Sequence, residues 1–379
     1  MDLIEKLEMP SSLAASEHNG RSSNYAEKPL LVYWEATLAC PLACNHCRAE
    51  AMPSPHPLQL DRREAADMLR QVAGFGNPSP HLVITGGDPL QRPDLFELIA
   101  LARSLDLRVS ITPSATIDLD RGTIRQLKGS GIQSMALSLD GSTPQRHDAL
   151  RGVPGCYEWT VQAARVATQE GIPLQMNTLV AAETLEDLPA IYRVVRSVEV
   201  VRWSLFFLIP VGRGRMLREI TPHQSEDLMH RLYDLAQEAS FVVATTEAPH
   251  YRRVALTRMR TEGQAQDHIR RSPVRQGFGI RDGNGVVFIS HRGDIFPAGF
   301  LPLAAGNVRK DSLPRIYRQS SLFRSLRDPA QFKGKCGRCP FKGICGGSRA
   351  RAFAHTGDPL ESDPLCLYEP ERGAAGERS

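Results

Sequence analysis

Residues 31–50, LVYWEATLACPLACNHCRAE, run a β-branched and aromatic segment directly into a loop that carries three thiols. LVYWEAT has the composition of a strand, and Cys40, Cys44 and Cys47 follow it as Cys-x3-Cys-x2-Cys. Parallel α/β architectures place their ligand sites on loops that leave the C-terminal ends of strands. This stretch therefore predicts both a fold class and the place where chemistry happens. Three thiols on one loop can converge on a single metal centre, but a closed iron–sulfur site uses four. A [4Fe-4S] cluster on three thiolates keeps one iron open, and an open iron can chelate a small molecule. The alternatives are a zinc site completed by a distant fourth ligand such as His46, or a set of buried core cysteines. Cys-x2-Cys by itself favours zinc; the further Cys at x3 spacing, just after a strand, moves the reading to iron.

Outward from this loop the pattern alternates. HLVITGG, LRVSIT, IQSMALSLD, PLQMNTLV and VRWSLFFL are short apolar runs, each followed by a stretch with helical spacing. Asp61 with Glu64 three residues later forms a capping-box signature, and further helix starts are predicted after Pro93, Asp120, Gly155 and Leu185. Strands separated by helices imply βαβ units and a parallel sheet. The fold class is α/β, a partial (β/α)6 TIM-type barrel over 30–245. Its mouth gathers the thiol loop, Gly86 to Pro89, Thr112, Ser138 with Asp140, Asn177 with Thr178, and residues 210–215. Residues 1–29 read as an N-terminal arm. Residues 246–280, rich in arginine and weakly periodic, read as a basic linker or a loop over the site. Residues 281–379 form a smaller C-terminal domain and tail, in which GVVFIS and DIFPAGF predict a hairpin around His291, Arg292 and Gly293.

With 379 residues, 41% of them hydrophobic, the chain can build one large domain and a smaller one. A formal net charge of +4 gives no field that demands nucleic acid. The N-terminus carries acids from its second residue, and no run approaches the roughly 18 apolar residues of a spanning helix. The sequence reads as a soluble, cytoplasmic protein with neither nucleic-acid nor membrane partners. Clustered cysteines in such a chain point to metal rather than to disulfides. Seven of the eight fall into two groups. Cys156, at a helix start, reads as a packed or capping thiol.

CPLACNHC resembles the signature of the radical S-adenosylmethionine (SAM) superfamily. The resemblance implies a [4Fe-4S] cluster with an open iron site that binds SAM and cleaves it to a 5′-deoxyadenosyl radical. Gly86-Gly87-Asp88-Pro89 resembles that family's GGEP motif, with Asp88 in place of the usual Glu, and implies backbone carbonyls that receive the SAM amino group. Glycines there also let backbone approach a ligand closely. Ser138, Asp140, Asn177 and Thr178 resemble the strand-end groups that bind the SAM ribose and carboxylate, and Arg151 in LRG resembles a carboxylate partner. Each can also be read as a cap or turn residue. Leu208 to Gly214 resembles the adenine-contacting end of the sixth strand; Arg213 and Arg215 can also be read as solvated.

The second group, Cys336, Cys339, Cys345 and Cys366, follows Cys-x2-Cys-x5-Cys with a later Cys. Four thiolates close a cluster completely, and they also make a zinc ribbon. The spacing resembles the auxiliary-cluster domain called SPASM. The full SPASM pattern has further cysteines, and this chain carries Ala298 and Ser348 where relatives have them, which predicts one auxiliary [4Fe-4S] cluster and not two. Without Cys366 as a ligand the auxiliary iron would be open. The closest resemblance is to radical SAM enzymes of the heme and heme d1 pathways and to pyrroloquinoline-quinone peptide maturases. It implies hydrogen abstraction from a substrate, with a tetrapyrrole propionate as the first choice and a low-potential electron donor as a partner. Arg349, Arg351 and the arginines from 252 to 275 are candidates to pair with its carboxylates, or are solvated or tune a cluster. A ribosomally made peptide is the competing substrate; only about 30 residues precede the first strand, too few for a leader-binding domain. A non-catalytic iron–sulfur or heme-carrying protein is the reading from a different class.

Overall fold

The computed structural model describes residues 25–371; most of the expected N-terminal arm lies outside the described residues. Alternation in the first strand decides how the sheet is built. In β1 (Leu31–Glu35) Val32 and Trp34 are fully buried among core side chains, while Tyr33 faces the other side. The same alternation recurs in β2 (His81–Thr85), β3 (Arg108–Ile111), β4 (Ser134–Ser138), β5 (Leu174–Val180) and β6 (Arg202–Phe207). Leu82, Ile84, Val109, Ile111, Met135, Leu137, Met176, Trp203 and Leu205 make up the layer between sheet and helices. Each such side chain contributes about 1.5–3 kcal/mol by leaving water.

These six strands pair in chain order, all parallel, as the sequence predicts. A seventh parallel strand, β7 (Val242–Thr246), extends them beyond β6. Its apolar run is short and mostly half-buried, which left no strong sequence signal. The expected hairpin is present as β8 (Val286–Ile289) and β9 (Asp294–Phe296), with Phe288 opposite Phe296 and Ile289 opposite Ile295. β8 is also parallel to β1, Leu31 standing opposite Val286, and β10 (Gly306–Asn307) completes the edge. Among the described residues one ten-stranded sheet therefore runs from the C-terminal segment through the barrel strands.

The predicted helix starts hold. Asp61 Oδ1 accepts from Glu64 N at 2.8 Å and Glu64 Oε2 accepts from Asp61 N at 3.0 Å, and the other helices span Leu95–Ser104, Arg121–Gly129, Cys156–Gln169 and Leu188–Arg196. The segment expected as a linker or loop is instead helical, at Tyr251–Thr261, Gln266–Arg271 and Pro273–Gln276. Val254, Ala255, Leu256 and Met259 are buried. The arginines between them are paired: Arg253 with Glu226 at 2.5 Å, Arg258 with Asp234 at 2.6 Å and Glu262 at 2.8 Å. Charges that pair with a neighbouring helix blur the apolar stripe on which periodicity depends. Among the described residues no helix is long and apolar enough to cross a membrane.

Candidate functional site at the strand ends

The thiol loop is stitched to its neighbours by backbone. Gly87 N donates to Thr37 O and Asp88 N to Ala39 O, both at 2.7 Å. A Cβ on Gly87 would stand 2.5 Å from the carbonyl oxygens of Leu38 and Ala39, so only glycine lets the second strand's turn lie against the loop. Arg213 N donates to Cys47 O at 3.1 Å, and Asn45 N to Leu150 O at 2.8 Å. Ser114, which sequence reasoning missed, ties three of these parts together. Its Oγ lies 3.3 Å from Cys40 Sγ and donates to Gly87 O at 3.2 Å, while its N–H donates to Asp88 Oδ1 at 3.2 Å. The available signal was a small polar residue just beyond Thr112 at the end of the third strand. Asp88 is fully buried and caps the turn through Leu90 N; burial pushes its carboxyl up to about 6.

Seven of the eight sulfurs behave as acceptors. Leu42 N donates to Cys40 Sγ at 3.4 Å, Ala51 N to Cys47 Sγ at 3.4 Å, and Arg151 Nη1 to Cys44 Sγ at 3.7 Å. In the C-terminal group Phe341 N donates to Cys339, Gly347 N to Cys345 and Asp363 N to Cys336, each at 3.4 Å, and Tyr368 N–H serves Cys366. Cys156 differs: buried at a helix start, as expected, its thiol donates to Ala115 O at 3.5 Å. An N–H aimed at sulfur suits a thiolate, and hydrogen bonds of this kind tune iron–sulfur centres.

Behind the thiol loop stands Asp140, 2% exposed. It accepts from Leu179 N at 2.7 Å, pairs with Arg151, and lies 3.5 Å from His46 Nε2. Arg151 and His46 hold its carboxyl below the usual carboxylate range despite burial. Burial lowers His46 to about 4, and its Nε2 is turned to Asp140. Arg151 thus joins the acid to Cys44. Asn177 and Ser138 are paired in register and half-buried on the inner face, with Gln175 Nε2 donating to Asn177 Oδ1 at 2.7 Å. Thr178 does not join them. It is fully buried, donating to Leu139 O at 2.8 Å and accepting from Trp203 Nε1 at 2.9 Å, so the hydroxyl expected to touch a cofactor braces strands instead. Arg213 Nη1 donates to Ala51 O at 3.4 Å; Arg215 is exposed.

Cys336, Cys339, Cys345 and Cys366 line one small cavity of about 20 Å³, together with Arg253, Lys335 and Lys342. Burial pushes the Cys345 thiol up to about 12 and the Cys366 thiol up to about 11. Such thiols ionise only when a metal centre or nearby cations compensate the charge. Among the described residues no three His, Cys, Asp or Glu side chains close together as the ligands of a single ion. Two of the arginines expected to receive substrate carboxylates, Arg349 and Arg351, are committed elsewhere. Arg349 donates to Pro359 O at 3.0 Å, to Glu361 O at 2.7 Å and to Cys336 Sγ at 3.5 Å. Arg351 pairs with Glu219 at 2.7 Å and donates to Glu247 O and Leu208 O. Ser348 caps the helix Arg349–Thr356 and donates to Glu247 Oε2 at 2.5 Å. Ala298 is packed with Ile209, Leu301, Leu326 and Ala350. Burial raises both Glu247 and its neighbour Asp282 above the ordinary carboxylate range; the Asp282 charge raises Glu247 further, whereas the hydrogen bond from Glu247 lowers Asp282.

Comparison with known proteins agrees with this arrangement. Residues 34–195 match the model of the radical SAM superfamily. The chain is 36% identical over 352 residues to an AdoMet-dependent heme synthase of Oleidesulfovibrio alaskensis, covering 92% of this chain and 89% of that protein. It is 36% identical over 347 residues to the AdoMet-dependent heme synthase of Methanosarcina barkeri, covering 90% and 97%. Among solved structures, Streptococcus suis SuiB bound to precursor peptide SuiA superposes with a TM-score of 0.69 at 18% identity, covering 90% of this chain and 76% of that one. The chain belongs to the radical SAM superfamily and is an enzyme of that family.

Proposed function

From that membership we propose that the enzyme abstracts hydrogen from the propionate side chains of an iron tetrapyrrole, in the manner of a heme synthase. The observation that carries the substrate is the extent of the likeness to the heme synthases, which covers 92% and 90% of the chain. Cys40, Cys44 and Cys47 would hold the [4Fe-4S] cluster whose open iron binds SAM. Bound there, cluster and SAM supply reductive sulfonium cleavage and a 5′-deoxyadenosyl radical, chemistry that belongs to the cofactor. The chain's own part is position. Gly86 and Gly87 hold the second strand's turn against the loop, Ser114 orients Cys40, and the Asp140–Arg151 pair holds Cys44. Ser138 and Asn177, on the inner face, are the proposed contacts of the SAM ribose and carboxylate.

Cys336, Cys339, Cys345 and Cys366 would hold one auxiliary [4Fe-4S] cluster. A lone zinc draws thiolates to about 2.3 Å from its centre; four sulfurs that line one pocket without closing on a single point, each accepting an N–H, favour a cluster over a lone ion. The apolar surroundings of Ala298 and the capping role of Ser348 support one auxiliary cluster. A low-potential electron donor completes the proposed system.

The test is isotope transfer. Reconstituted anaerobically, reduced, and given SAM with iron coproporphyrin deuterated at the propionate β-carbons, the enzyme is expected to form deuterated 5′-deoxyadenosine. Label that appears only from a deuterated peptide would replace the tetrapyrrole by a peptide. Bound iron without any 5′-deoxyadenosine would remove the radical reading.

A further inference from the structure

Most arginines near the two thiol regions are neutralised by an acid: Arg48 by Glu35 at 2.6 Å, Arg151 by Asp140, Arg253 by Glu226 and Arg351 by Glu219. Arg349 is not. It is fully buried, and among the described residues its guanidinium meets carbonyls and a sulfur but no acid. It donates to the carbonyls of Gly347 at 3.4 Å, Pro359 at 3.0 Å and Glu361 at 2.7 Å, which leaves Nη2 aimed at Cys336 Sγ, 3.5 Å away. Phe332 lies against it, the ring centre 4.7 Å from Cζ. Gly347 keeps the contact open. Its φ is +67°, and a Cβ there would stand 2.5 Å from Arg349 Nη2 and 3.2 Å from Cys336 Sγ.

Arg281 and Arg252 repeat the arrangement at one remove. Arg281, also buried, donates to the carbonyls of Gly279, Leu326 and Arg327, and its Cζ lies 5.1 Å from the same Phe332 ring. Arg252, half-buried, donates to Ile280 O and to Ile344 O, on the residue before Cys345. Carbonyls satisfy N–H groups but cancel no net charge. A buried cation needs an anion, and for Arg349 the anion within reach is the thiolate of Cys336. The first thiol region differs on this point: Arg151 also touches a sulfur, Cys44 at 3.7 Å, but Asp140 cancels its charge.

The potential of an iron–sulfur cluster follows its net charge and the hydrogen bonds to its sulfurs. Reduction adds a negative charge, so an uncompensated guanidinium on a ligand sulfur favours the reduced form, the more so away from bulk water. We propose that Arg349 sets the reduction potential of the auxiliary centre through Cys336, holding it above the value the thiolates alone would give, with Arg281 and Arg252 adding to the same field. This rests on the reading of Cys336, Cys339, Cys345 and Cys366 as the ligands of an iron–sulfur cluster. Arg349 acts through a ligand and is a positioning residue.

The test is a potentiometric titration followed by electron paramagnetic resonance, on the full-length reconstituted enzyme carrying Cys40→Ala so that only the C-terminal centre reports. Arg349→Gln is expected to shift the one-electron reduction equilibrium at least about tenfold toward the oxidised form, a potential lower by about 59 mV. Arg349→Lys, which keeps the charge, should stay within about threefold of its parent. An Arg349→Gln protein that keeps its iron and its parent's potential overturns the proposal. So does an equal fall in Arg349→Lys, which would make packing rather than charge the cause. Where Arg349→Gln fails to hold iron, Arg281→Gln, which touches no thiol, decides: a shift of about threefold in the same direction supports the proposal and an unchanged potential overturns it. Zinc in place of iron at these four thiols in the parent protein overturns the cluster reading itself.

Discussion

The two thiol regions share one local device and differ in everything around it. In both, an amide two residues on points back at the sulfur, Leu42 at Cys40, Phe341 at Cys339 and Gly347 at Cys345. The loop after β1 takes the rest of its surroundings from other strand ends: Ser114 beyond β3, Asp140 beyond β4, and Arg151, which bridges Asp140 to Cys44. The C-terminal thiols stand among Arg253, Lys335 and Lys342, cations that offset the charge of four thiolates. The first region is thus built around a pair of fixed opposite charges with three thiols only. The second gathers four thiols with three cations around them. The difference teaches that the same N–H···S turn stands in unlike electrostatic surroundings according to what the rest of the fold supplies, which under the proposed function makes one centre open and the other closed.

The sharpest way to break this comparison is Cys40→Ala. It should abolish 5′-deoxyadenosine formation while leaving the iron and absorption of the C-terminal centre in place, checked by iron analysis and product chromatography. Simultaneous loss of both centres would show that they are not independent. Next in size is Asp140→Asn, which leaves the buried Arg151 guanidinium without its acid and should cost about 3–5 kcal/mol in denaturant unfolding. Because the Asp140 carboxyl is held low in the folded protein, its contribution is complete above the ordinary carboxylate value of about 3.9 and is lost as pH falls through its depressed folded value. The gap between wild type and variant should therefore persist at neutral pH and close only in acid.

Glu247 tests the C-terminal side with the opposite sign. Its pKa is raised by burial and by Asp282, so the folded state holds a proton that the unfolded chain has released. Its contribution is present below the ordinary carboxylate value and is lost as pH rises toward the folded value. Glu247→Gln, which keeps an acceptor for Ser348, should flatten the decline in stability between mildly acidic and alkaline pH, measured by thermal unfolding. Cys156→Ala should do least, with about 1 kcal/mol lost and no change in bound iron. Loss of iron from that variant would make the donating thiol part of a centre.

Local signals were enough for some parts of this account. The six strands, the Asp61 capping box, the helix starts and the β8–β9 hairpin follow from alternation, caps and turns, all of which act within a few residues. The failures share a cause. Thr178 looked like a ligand contact until Trp203 claimed its hydroxyl, and Arg349 and Arg351 looked like carboxylate receptors until carbonyls and Glu219 claimed their guanidinia. The arginine-rich segment lost its helical signature because its charges pair with Glu226 and Asp234 on another helix.

By itself the sequence determined the spacing of the thiols, the glycines that let Gly87 lie against Leu38 and Ala39, and the alternation that separates core from lumen. These depend on neighbours in the chain and on backbone sterics. Tertiary structure alone decided which polar groups are spent and which remain free, because their partners lie far away in sequence. Arg351 meets Glu219 across 132 positions and Leu208 across 143. Each buried charge takes its role from the group that compensates it.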